Sequence, residues 1–100
     1  MPGIMHSKDQ ENTEHSETIA LNALAFLLGD GERLERFMTL SGLTAEAIRS
    51  GATDIVFLGG VLDYLLADQT LLLIFAEEHG LKPERIATLR RQLPGAALDF

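Results

Sequence analysis

The chain has no cysteine, few basic residues and no apolar run long enough to cross a bilayer. Each absence removes a class of function. Without cysteine there are no disulfides, no thiolate metal ligands and no cysteine nucleophile, a composition that suits a cytoplasmic protein. Lys and Arg number 8 against 15 Asp and Glu, a formal charge of −7 that repels polyphosphate at long range. Nucleic acid and anionic membrane surfaces are therefore disfavoured as partners. The apolar runs "ALAFLL" (23–28) and "LLLIFA" (71–76) fall far short of the roughly 20 residues a spanning helix needs and read as core segments. Residues 1–17 carry Lys8 against Asp9, Glu11, Glu14 and Glu17, the reverse of the basic flank of an export signal, so a cytoplasmic location is expected.

The equipment of catalysis is also missing. Ser7, Ser16, Ser41 and Ser50 lack a GxSxG context, and His79 is the one histidine outside the amino-terminal segment that holds His6 and His15. "LGDGERLERF" has neither the lysine nor the spacing of a phosphate loop. Glu77, Glu78 and His79 are adjacent, and neighbours on a helix diverge by about 100°, so the three cannot converge on one metal. The expectation is a non-enzymatic chain with no catalytic residue, no metal site and no cofactor.

What remains is helical. One hundred residues make one domain. Residues 1–15, "MPGIMHSKDQENTEH", are polar and aperiodic after Met5, so a disordered acidic tail is expected there. Residues 16–100 then form a single all-α domain, a compact bundle of five or six short helices. The first runs from a cap at Ser16 to Leu28 and is apolar nearly all round, which makes it the central helix. Asp30 caps a second, with Leu34, Phe37 and Met38 on one stripe. Thr44 caps a short third, closed by Gly51. Asp54 opens a fourth, with Leu58, Val61, Leu62, Leu65 and Leu66 on its apolar face, and Asp68 caps a fifth that stops at Gly80. The apolar phase continues through "LLADQTLL", but a continuous helix of about 26 residues would be long for this domain, so a break is expected. Lys82 or Pro83 begins the last helix, with Ile86, Leu89 and Leu93 facing inward and Pro94 ending it.

Three features invite a functional reading. "LSGLTAEAIRSG" (40–51) has the outline of a helix-turn-helix, yet its second helix offers only Arg49 to a base edge. Gly42 in a left-handed turn and Thr44 as a cap explain the segment without DNA. The last helix is the one basic helix; on a helical wheel Arg91 points away from the apolar stripe while Arg85 and Arg90 flank it, the pattern of a solvated helix. Arg49, Arg90 and Arg91 are the candidate nucleic-acid contacts. Gly59 and Gly60 lie inside the fourth helix, where each costs about 1 kcal/mol against alanine, so a compensation is expected: close approach of another helix first, a helix break second and a ligand cleft third. Gly59, Gly60, Leu58 and Leu62 are the candidate interface, and the apolar load of the fourth and fifth helices points either to tight packing on the first helix or to a symmetric homodimer, the dimer being preferred.

The succession "ALAFLL", "ERLERFMTLSGL", "AIR", "FLGGVLDYLLAD", "LLLIFAEEHGLKPE" resembles a bacterial family catalogued as domain of unknown function thirty-five seventy-two, over about residues 18–95. In that pattern a glutamate often follows the aspartate where this chain has Gln69, so no acidic pair is expected beside Asp68. The resemblance implies a helical fold and no particular activity. The function expected from the residues is a small protein–protein interaction or regulatory module; the alternative is a nucleic-acid-associated regulator using residues 40–51. Titration with mixed duplex DNA over a range of salt is expected to show no steep salt-dependent affinity, whereas a slope corresponding to several phosphate contacts would reverse that order.

Overall fold

Among the described residues of the computed structural model there are six helices: α1 (Pro2–Leu28), α2 (Gly31–Ser41), α3 (Ala45–Gly51), α4 (Ile55–Leu66), α5 (Gln69–Glu78) and α6 (Pro83–Arg91). The structure describes residues 2–95, with side chains from residue 13 onward. The tail expected over residues 1–15 thus falls mainly outside the described side chains. The expected start of the first helix is corrected. Residues 13–15 are already helical, and Ser16 is an interior, fully buried position rather than a cap.

Short polar caps cut the chain into these pieces. Asp30 accepts from the backbone N–H of Glu32 and Arg33 at 3.0 and 3.1 Å, Thr44 from Ala47 at 3.0 Å, Asp54 from Val56 at 2.9 Å and Asp68 from Leu71 at 3.2 Å. Each satisfies a donor that the first helical turn leaves unpaired. The break after α4 is of this kind. The axes of α4 and α5 differ by 109° with neither glycine nor proline between them, because Asp68 restarts the helix in a new direction. Among the described residues no single helix is long and apolar enough to cross a membrane.

α1 and α4 form the centre. Ala20, Ala23 and Leu27 of α1 and Leu62 and Leu65 of α4 have no exposed surface, and α6 closes over both with Ile86 and Leu89. Phe75 of α5 meets Phe26 of α1 edge to face at 5.4 Å, and Arg33 of α2 lies over the Phe26 ring at 4.0 Å. Aromatic and cation–π contacts thus tie α2 and α5 to the central helix.

Two glycines at the ends of α2 and α3 do different work. Gly42 takes φ 77°, and its N–H bonds to the Met38 carbonyl, closing α2 in the left-handed conformation that glycine adopts without steric cost. Gly51, expected as the stop of α3, is its last helical residue, and the helix is capped by Ala52. Its function is steric: the Phe57 ring lies where a side-chain carbon on Gly51 would be. Gly42→Val is expected to cost more than about 1 kcal/mol through backbone strain, and Gly51→Ala about 1–3 kcal/mol through overpacking. Urea unfolding followed by helical circular dichroism measures both; a Gly51→Ala variant as stable as wild type would show that Phe57 moves aside freely.

Candidate functional site

The basic helix α6 turns its middle arginine inward. Arg90 falls on the face of Ile86, Leu89 and Leu93, is only 4% exposed and makes five hydrogen bonds. Nε donates to Asp63 Oδ1 at 2.7 Å and Nη2 to Asp63 Oδ2 at 3.0 Å, a bidentate pair between α6 and α4. Nη1 donates to the carbonyls of Leu93 and Pro94 at 3.1 and 3.2 Å, and Nη2 to that of Gly95 at 3.0 Å. A guanidinium has five N–H donors, and all five are engaged. That is the condition under which a buried cation is tolerable.

Gly59 makes room for it. A side-chain carbon at that position would lie 2.7 Å from Nη1 and 3.0 Å from Cζ of Arg90. The close approach expected at the glycine pair exists, but the neighbour is a side chain, and it involves one glycine of the two. A side-chain carbon on Gly60 would meet nothing within 4 Å. Leu58 and Leu62, proposed with them as interface residues, are 2% and 0% exposed and belong to the core of the chain itself.

Gly60 opens instead into a cleft of about 390 Å³ between α2 and α4. From α2 come Phe37 and Ser41, and from the following turn Leu43; α4 supplies Phe57, Gly60, Val61, Asp63 and Tyr64. Phe37 and Tyr64 meet edge to face at 4.8 Å, which fixes the wall where the two helices join. Asp63 is the one charged residue of the lining, and both of its oxygens are bonded to Arg90. The cleft therefore presents apolar surface, a charge already compensated and the hydroxyls of Ser41 and Tyr64, the latter buried without a hydrogen-bond partner.

The remaining sequence candidates lie elsewhere. Arg49 is exposed on α3, and Arg91 is exposed with one side-chain bond, to Thr88 Oγ1 at 3.4 Å. Arg90, read as a flanking solvated residue, is corrected to a buried structural cation; binding a phosphate would require breaking the bonds above. His79 packs its ring on Phe75 at 4.3 Å at the end of α5. Among the described residues no three His, Cys, Asp or Glu side chains are placed to share a metal ion. The ion pair was missed because arginine was assigned to solvent on its charge. A signal was present: positions 86, 89, 90 and 93 are spaced i, i+3, i+4, i+7, the full width of a buried face, with Asp63 one turn beyond Gly59.

Asp63→Ala should cost about 2–4 kcal/mol, below the upper range for a fully buried pair because the Asp63 side chain is 40% exposed. Denaturant unfolding tests this, and a loss under about 1 kcal/mol, the size of a surface pair, would contradict it. No curated protein and no solved structure matches the chain. The profile of one family matches residues 13–96, a span that includes Gly59, Asp63 and Arg90, and the chain belongs to that family, Protein of unknown function (DUF3572).

Proposed function

We propose that the protein is a small docking module whose α2–α4 cleft receives an apolar side chain from a protein partner. The observation that carries this reading is the cleft's chemistry: about 390 Å³ of space lined by aromatic and aliphatic groups, with the carboxylate of Asp63 held by Arg90. A charged guest would lose hydration there and find the one carboxylate already bonded to Arg90, whereas an apolar side chain loses little and buries its surface. Exposed main chain at Gly60 allows a partner's backbone to come close. The reading involves no catalytic step and no cofactor, and the absence of cysteine accords with action in the cytoplasm.

Gly60→Leu separates docking from folding. Leucine is the better helix former by close to 1 kcal/mol, and nothing lies within 4 Å of the position, so the variant should fold at least as stably while filling the cleft. Crosslinking capture from source cells with both baits is expected to recover a protein on wild type that is lost on Gly60→Leu. Recovery of another copy of this chain would make the cleft a homodimer interface. Identical recovery on both baits would overturn the proposal.

A further inference from the structure

Two hydroxyls line the otherwise apolar α2–α4 cleft, and neither spends its donor within the described chain. Ser41 Oγ accepts from the backbone N–H of Leu43 at 3.2 Å, which leaves its own O–H open toward solvent. Tyr64 is the less usual case. Its ring is half-buried and meets Phe37 edge to face, yet Oη is buried with no hydrogen-bond partner. A phenylalanine would keep the ring contact without burying an unpaired hydroxyl. Tyr64 thus carries a donor whose acceptor the described chain does not supply, in the wall of a cleft.

The layout of α4 sets where an acceptor can approach. Phe57, Gly60, Val61 and Tyr64 are spaced i, i+3, i+4 and i+7 and line one side of the cleft. Gly60 has open space where a side chain would be, and Tyr64 follows it by four residues, about 6 Å along the axis. A guest backbone that comes close at Gly60 is therefore within reach of Tyr64 Oη once the ring rotates toward it. One main-chain carbonyl has two lone pairs, enough for both hydroxyls. The cleft, at about 390 Å³, falls in the range of roughly 300–1,000 Å³ that holds small ligands, so an apolar side chain fits together with its adjoining peptide unit.

Secondary structure decides which partners can offer that carbonyl. Inside a helix each carbonyl is bonded to the N–H four residues on, so a helix laid into the cleft by its face brings only side chains. Extended and turn segments keep carbonyls free. A carboxylate is disfavoured as the acceptor, because the chain is acidic and Arg90 is already bonded to Asp63.

We propose that the cleft takes an extended or turn segment of the partner, with one apolar side chain inserted and the adjoining main-chain carbonyl accepting from Tyr64 Oη and Ser41 Oγ. This deepens the docking function proposed above and rests on it. The inserted side chain supplies burial, and the two hydroxyls select against a guest that brings no acceptor.

Two small probes test the contact. N-acetyl-phenylalanine methylamide carries a benzyl group between two peptide units, and toluene carries that group alone. Each is titrated into the isotope-labelled full chain, with the Gly60 amide and Val61 methyl resonances as the readout. The amide probe is expected to bind more tightly, by roughly three- to tenfold for each hydrogen bond gained. Tyr64→Phe should lower the ratio of the two affinities by about that factor, with a thermal midpoint equal to or above that of wild type. A ratio near one on wild type, or one that Tyr64→Phe leaves unchanged, overturns the carbonyl contact. A ratio lowered together with the midpoint would make Tyr64 a packing residue and overturn it as well. In each of these cases the docking function stands if Gly60→Leu abolishes the shifts. Shifts from neither probe, or shifts that Gly60→Leu leaves in place, overturn both.

Discussion

A buried guanidinium must find an acceptor for every N–H, and that requirement organises the end of this fold. Arg90 is drawn into the core by its place on the Ile86–Leu89–Leu93 face, and from there its five donors fix their surroundings. Two take the carboxylate of Asp63, binding α6 to α4. Three take the carbonyls of Leu93, Pro94 and Gly95 and so set the path of the chain after the last helix. Gly59 is the vacancy that admits the group. A carboxylate, three carbonyls and a missing side chain are thus explained by one cation.

The same interaction conditions the cleft. Asp63 alone in that lining would give an apolar space one negative charge in a molecule that is already acidic. Bonded to Arg90, it is compensated, and the space becomes suited to apolar side chains. The neighbouring glycine leaves its surface open where Gly59 is filled by the arginine, which is why two identical adjacent residues have unrelated consequences. One accommodates the clamp and the other exposes backbone beside a pocket.

Local chemistry was legible in the sequence where it acts over one helical turn. The caps at Asp30, Thr44, Asp54 and Asp68 and the left-handed Gly42 depend on residues two to four apart and were read from the local sequence, whereas the break after α4 was read from length, against an apolar phase that runs on. Features that depend on distant pairing were not. The inward Arg90 needs a carboxylate 27 positions away, and its charge argued for solvent when its spacing argued for the core. Gly51 read as a helix stop because glycine usually ends helices through its backbone, whereas here it yields space to Phe57. A cleft was the third reading of the glycine pair, but its lining was not legible, since Phe37, Leu43 and Tyr64 become neighbours only in the folded chain.

The account's central claim is that Gly59 is glycine because of Arg90, and a double-mutant cycle on that pair measures it. In the wild-type background Gly59→Ala should destabilise by about 1–3 kcal/mol, because the new carbon displaces a guanidinium pinned by five bonds. In the Arg90→Met background the flexible thioether can move aside, and the same substitution should become neutral or stabilising by up to about 1 kcal/mol through helix propensity alone. An equal cost in both backgrounds would contradict the claim and place the constraint on Gly59 elsewhere in the packing of α4.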